Sequence, residues 1–234
     1  MTQGYGYSTR AVGGYAPSLV DRRATFIVRT YNHLFVALLA FAGLEAALFA
    51  AGLAAPIAGV LGRNWWLALG GFMAASWLGS QWAHTARSRA AQYAGLSAMV
   101  VAEALVFTPI LYVATRIAPD TIYSAALVTL LGFGGLTAIA FVTRRDFSFL
   151  RGIVLWGGVT ALVVIVAAMI FGLTLGVFFS VAMVALAGAS ILYSTSNVLH
   201  HYPEDRYVAA ALQLFSSVAL MFWYVLQIFL SARD

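Results

Sequence analysis

From "FVALLAFAGLEAALFAAG" at residues 35–52 onward, the chain is a succession of uninterrupted apolar runs broken only by short polar segments. Each run is about 20 residues long, the length at which an α-helix crosses the hydrocarbon of a bilayer. Only helices and closed barrels satisfy every backbone group in hydrocarbon. Barrel strands would alternate apolar and polar residues over about ten positions, and these runs do not alternate. The composition agrees: 62% of the 234 residues are hydrophobic and 9% are charged, with a mean hydropathy of +0.90. Soluble domains carry about a quarter charged residues. The expectation is an all-α integral membrane protein.

Seven spans are expected, near residues 34–54, 65–84, 92–115, 121–143, 149–171, 173–199 and 207–231. Pro56 and Gly62 punctuate the first connection, "ARSRA" the second and "RIAPD" the third. In "TRRDFS", Asp146 or Ser148 is suited to cap the helix that follows. Gly172 alone separates spans five and six, and Pro203 in "HHYPEDR" closes span six. Residues 1–17, rich in Gly and Tyr, read as a flexible cytoplasmic tail, and residues 18–234 as a single seven-helix transmembrane domain. Ser18 with Asp21 forms a capping box that opens a short helix on the membrane surface ahead of span one.

Arginine placement predicts the orientation. With the amino terminus inside, the inner segments hold ten arginines (10, 22, 23, 29, 87, 89, 144, 145, 151 and 206) and the outer segments three (63, 116 and 233). That asymmetry puts the amino terminus in the cytoplasm and, after seven spans, the carboxyl terminus outside. The same arginines account for the sequence pI near 9.7 without nucleic acid as a partner.

The residue inventory excludes several functions. Cysteine is absent, which removes disulfides and thiolate metal sites. Lysine is absent too, so no Schiff base can form. "GAS" at 188–190 has no membrane-embedded His to make a serine protease, and no set of intramembrane His ligands suits a zinc hydrolase. No phosphate-binding glycine loop is present, and no cofactor, metal or enzymatic activity is expected. His200, His201, Glu204 and Asp205 share the last loop, where a solvated surface explains them better than a metal site.

Polar groups at membrane depth are more informative. Ser180, Met183, Ala187, Ser190, Ser194, Asn197 and His201 recur at spacings of three and four on span six, as do Gln213, Ser217, Leu220, Tyr224 and Gln227 on span seven. Two such stripes face each other or line a shared cavity, and interhelical hydrogen bonds alone would also explain them. Glu45 and Glu103 lie near the centres of spans one and three. A carboxylate there costs several kcal/mol unless protonated, paired or hydrated, so both are candidates for a proton or cation site.

Five stretches together resemble the Bax inhibitor-1, or transmembrane Bax inhibitor motif, family. They are "RTYNHLFVALLAFAG", "FTPIL", "FVTRRDFSFLRG", "SILYSTSNVLHH" and "RYVAAALQLFSSVALMFWYVLQIF", in the family's order. The resemblance implies seven helices with one of them central, and, in its best-understood members, a pH-sensitive calcium leak gated by one aspartate on each of the last two spans. The matching positions here are Ser194 and Ser217. Calcium prefers several oxygens including carboxylates, so the family's switch does not carry over to two hydroxyls. "ILYSTSN" with Ser on span seven is similar to the bacterial YccA-type branch of the inner membrane. That branch implies a partner, the membrane-anchored protease FtsH, with a calcium or proton leak as the alternative. Ser194, Ser217, Asn197, Gln213, Glu45 and Glu103 are the candidate lining.

Overall fold

The structure, a computed structural model, describes residues 19–85 and 88–232. The expected tail of residues 1–17, and Ser18 of the capping box, lie outside the described residues. Among the described residues the chain is all-helical, with no strand. Its eight helices are α1 (Leu19–Ala50), α2 (Ala54–Arg63), α3 (Trp65–Thr85), α4 (Arg89–Ile117), α5 (Asp120–Thr143), α6 (Leu150–Phe171), α7 (Val177–His200) and α8 (Tyr207–Ser231).

A separate surface helix ahead of span one was expected; instead α1 is continuous for 32 residues. At 1.5 Å per residue it is about 48 Å long, well beyond a hydrocarbon core of about 30 Å. No Gly or Pro interrupts residues 26–37, and Phe26, Thr30, Leu34 and Ala37 form one buried stripe through the expected break. The core does not stop there, so neither does the helix.

The first connection also differs. The chain turns at Gly52, whose φ of 72° suits glycine, and the Leu53 amide bonds back to the Leu48 carbonyl at 2.9 Å. Pro56 and Gly62, expected in a loop, lie within α2; Pro56 occupies its first turn, where a missing N–H costs nothing. At Gly172 (φ 66°) the same device ends α6, the Leu173 amide reaching the Ala168 carbonyl at 2.8 Å. Residues 173–176, placed in span six by the sequence, are not helical, so this connection is longer than one glycine. The remaining boundaries lie within a few residues of expectation.

Six helices are long and apolar enough to cross a membrane: α1, α4, α5, α6, α7 and α8. The second expected span, α3, is not among them. It has the length, 21 residues, but Ser76, Ser80, Gln81, His84 and four tryptophans dilute its hydropathy.

The α8 helix is the axis of the bundle, packed on by α1, α3, α4, α5 and α7. Its Ala209, Ala210 and Ala211 are fully enclosed, since small side chains let neighbouring backbones come close on every side. Further along, Phe107 of α4 stacks on Phe222 and meets Trp223 and Phe41 edge-on, knitting α1, α4 and α8 together. At the edge, α6 leans on α7. Two contacts set direction: His33 meets Tyr93, and Glu45 meets Thr108. Helices α1 and α4 are therefore parallel, and α3 must run back between the end of α1 and the start of α4. It does so against α4, with Gly79 and Gly95 at the crossing.

Candidate functional site

The α7–α8 seam carries both polar stripes, and three side-chain hydrogen bonds cross it or its connecting turn. Ser180 Oγ donates to Gln227 Oε1 at 3.2 Å, Ser190 and Ser217 share a bond of 2.8 Å, and Tyr202 OH donates to Gln213 Oε1 at 2.6 Å. Residue numbers rise on one side and fall on the other, as antiparallel helices require. The proton order in the middle bond follows from valence. Ser217 Oγ donates its single hydrogen to the Gln213 carbonyl at 3.0 Å, so the hydrogen shared with Ser190 is Ser190's.

Ser194 and Ser217 both face inward, 1% and 4% exposed. The hydroxyl bonded to Ser217 is nevertheless that of Ser190, one turn before Ser194. Ser194 Oγ is buried and has no protein hydrogen-bond partner, and the same is true of Ser216 Oγ on α8. Asn197 is half-buried, and its carbonyl accepts the amides of His201 and Tyr202 as α7 ends. Of the six residues expected to line one cavity, Ser217 and Gln213 are thus linked directly, Ser194 and Asn197 stand nearby on α7, and the two acids are elsewhere.

Glu45, on α1, is 6% exposed and meets α4. Its Oε2 accepts from Thr108 Oγ1 at 3.3 Å, but the same hydroxyl is 2.9 Å from the Ala104 carbonyl. One hydrogen serves two acceptors, so Glu45 receives the weaker share, and its Oε1 has no partner. Glu103 is 5% exposed on α4. Among the described residues no arginine or histidine pairs with either acid. Arg151, the nearest expected donor, is exposed on the first turn of α6.

The end of the bundle where α1 begins is tied together by charged and aromatic groups. Asp146 Oδ1 accepts from the Ser148 amide at 2.9 Å and from Ser196 Oγ at 3.3 Å, and its Oδ2 lies 3.4 Å from His201 Nε2. The donors, led by the Ser148 amide, hold the Asp146 carboxyl below the ordinary carboxylate range. Neither Asp146 nor Ser148 caps the next helix as expected: Phe149 stands at the cap position without a side-chain bond. Asp146 instead organises the turn and joins it to α7. Arg22 pairs with Glu204 at 3.6 Å, and Arg23 donates to the Tyr202 carbonyl at 2.7 Å. The Tyr202 phenol, buried by α1, has its pKa pushed up by desolvation. The His200, His201, Glu204, Asp205 group is thus dispersed onto separate partners, and no cluster able to hold a metal occurs among the described residues.

Sequence reasoning missed Thr108 and Tyr202. Thr108 sits one residue before Pro109 in "FTPIL", where a hydroxyl inside a helix invites scrutiny; which helix it would meet was not legible. Tyr202 follows the two histidines, and a turn tyrosine gives no hint that it will reach back to a glutamine.

The family model described as inhibitor of apoptosis-promoting Bax1 matches residues 23–234. Among curated relatives, an uncharacterised protein of Pseudomonas aeruginosa is 36% identical over 113 residues, covering 47% of this chain and 50% of that protein. A protein of Escherichia coli named modulator of FtsH protease YccA is 32% identical over 117 residues, covering 49% of this chain and 53% of its own length. The same protein from a second Escherichia coli strain is named inner membrane protein YccA. The chain spans about half the length of the curated relatives it matches.

Proposed function

The chain belongs to the Bax inhibitor-1 family, and from that premise we propose that it is an inner-membrane modulator of an FtsH-type membrane protease. The observation that carries this reading is the similarity to a relative named for that role. The seam between α7 and α8 supports it. Where the resemblance expects two aspartates there are serines, and hydrogen bonds of 2.6–3.2 Å run along the α7–α8 contact. A seam closed in this way, without charge, suits a rigid helical partner better than an ion path.

The topology proposed with this role is seven spans, with the amino terminus in the cytoplasm. The parallel course of α1 and α4 supports counting α3 as a span: something must carry the chain back between Ala50 and Arg89, and 21 residues of helix rise about 31 Å. Of the arginines on described residues, eight lie at the α1 end (22, 23, 29, 89, 144, 145, 151 and 206), against Arg63 and Arg116 at the other.

The test is reconstitution of the full chain with the protease in bilayers. Co-purification with the protease, and slower turnover of a membrane substrate when this chain is present, are expected. Unchanged turnover with no association would overturn the reading.

A second reading, a calcium or proton leak, is favoured by one observation: Glu45 is buried on α1 with an oxygen that has no partner. Proteoliposomes bearing the chain would then pass the ion, and Glu45→Gln or Glu103→Gln would abolish the flux. No flux at any pH removes this reading.

A further inference from the structure

Arginines at the α1 end are held in two different ways. Arg22 and Arg206 face carboxylates, and Arg23 a backbone carbonyl. Arg29 of α1 and Arg89 of α4 face neither; they converge on an aromatic ring. The ring is Tyr207, the first residue of α8, only 4% exposed. The guanidinium carbon of Arg29 lies 5.6 Å from the ring centroid and that of Arg89 5.7 Å, while Arg89 Nη1 donates to the Tyr207 hydroxyl at 3.0 Å. The two charges therefore lie no more than about 11 Å apart, about one Debye length at 0.1 M salt, so they repel. Among the described residues neither arginine forms an ion pair; Glu204 lines a cavity with Arg29 but is paired with Arg22 at 3.6 Å.

The surroundings hold this arrangement in place. His33 Nδ1 is 2.7 Å from the Arg29 carbonyl, which can only accept, so Nδ1 carries the hydrogen. His33 Nε2 is left to accept from Tyr93 OH at 2.9 Å. With both nitrogens used and its ring 5.0 Å from that of Tyr207, His33 positions the tyrosines rather than offering a ligand. Both arginines are exposed on their outer sides, as is Tyr93. Orientation explains why arginines stand at this end of the helices; it does not explain two of them on one buried tyrosine without an anion.

We propose that Arg29 and Arg89, braced on Tyr207, bind a phosphate group, and that the phosphate is that of an anionic phospholipid headgroup. Two facts favour the lipid source. Arg89 and Tyr207 open α4 and α8, and Arg29 lies about 32 Å along α1 from its end at Ala50, close to the thickness of a hydrocarbon core, which is the depth expected of headgroup phosphates. Guanidinium forks match phosphate oxygens bidentately, and basic pockets between membrane helices take such headgroups. An aromatic brace also lowers the entropy lost on binding, since neither long side chain is free beforehand. The site is separate from the α7–α8 seam and stands whether or not the chain modulates a protease.

Native mass spectrometry on the full chain in neutral detergent tests this, with phosphatidylglycerol, phosphatidylcholine and inorganic phosphate as separate probes. Phosphatidylglycerol is expected to be retained over phosphatidylcholine. Arg29→Gln and Arg89→Gln should each weaken retention about fivefold. Arg145→Gln, which removes an exposed charge on the α5–α6 connection, should leave it unchanged. Thermal stabilisation by millimolar inorganic phosphate, lost in Arg29→Gln and without preference between the lipids, would keep the phosphate site and overturn the lipid source. Equal retention of both lipids with no phosphate effect would overturn the proposal, as would an equal loss in Arg145→Gln. Should the glutamine variants fail to fold, Arg29→Lys keeps the charge but not the planar fork. It should bind about twofold more weakly, and unchanged binding there would also sink the site.

Discussion

Gly95→Ala is the substitution that tests the packing on which the bundle's connectivity rests. A Cβ at Gly95 would lie 2.6 Å from the Gly79 carbonyl oxygen, 3.1 Å from the Ala83 amide nitrogen and 3.2 Å from Trp82 Cβ. Two of these three neighbours are backbone, so no rotamer change relieves them. Ordinary contact begins at 3.4 Å, so α3 and α4 must part by about 0.8 Å at the crossing. A gap of that size forfeits a quarter to a half of each affected dispersion contact, and overpacking a tight interface costs about 1–3 kcal/mol. Against this stands a gain of up to about 1 kcal/mol from replacing Gly by Ala in a helix. The net expectation is a loss of about 1–2 kcal/mol, a factor of about 5–30 in the folded population. Unfolding in bicelles by a denaturing detergent, followed by tryptophan fluorescence, reads it directly. Gly43→Ala on α1 is the control: nothing lies within 4 Å of its Cβ, so only the propensity gain remains. If Gly95→Ala is as stable as Gly43→Ala, α3 and α4 do not cross at these glycines, and the return course assigned to α3 loses its support.

Three further outcomes follow from the geometry. Ser190→Ala should cost about 0.6 kcal/mol by detergent unfolding, the average for an interhelical hydrogen bond, and Ser217→Ala a similar amount; the double variant should lose less than the two singles combined, because they share one bond. Ser190→Asp with Ser217→Asp should create calcium binding that strengthens as pH rises, seen by calorimetry, and more strongly than Ser194→Asp with Ser217→Asp; the reverse order would place Ser194 rather than Ser190 opposite Ser217. Asp146→Asn should speed amide exchange over residues 146–149. Because the Asp146 pKa is lowered on folding, its contribution is present above the ordinary carboxylate pKa and is lost as pH falls through the lowered value. The wild type should therefore approach the variant only at pH below about 4, and equal exchange rates at neutral pH would refute the role given to this carboxylate.

The fold was legible wherever a single helix decides the matter. Spans at 92–115, 121–143 and 207–231 lie within α4, α5 and α8 because their apolar runs end at Arg, Pro or Asp, and such residues act locally. The expected surface helix ahead of span one is instead part of α1 because Phe26, Thr30, Leu34 and Ala37, set among arginines in the sequence, become a core face only against α4 and α8. In α3 length and composition disagree, and the decision falls to its neighbours. For the candidate site, the presence of buried hydroxyls and acids was readable, since lipid forbids exposing them. Their partners were not. Glu45 finds Thr108, 63 residues away, and Ser217 finds Ser190 rather than Ser194.

Sequence by itself determined that this chain fills a membrane with helices, because hydropathy and length are properties of each segment alone. The tertiary structure decided which hydroxyl meets which, that α8 is enclosed while α6 stands at the edge, and that two arginines share one tyrosine. Those facts depend on the rotation and axial offset of one helix against another. A slide of about 5 Å, one turn, would exchange Ser190 for Ser194 without changing a single residue.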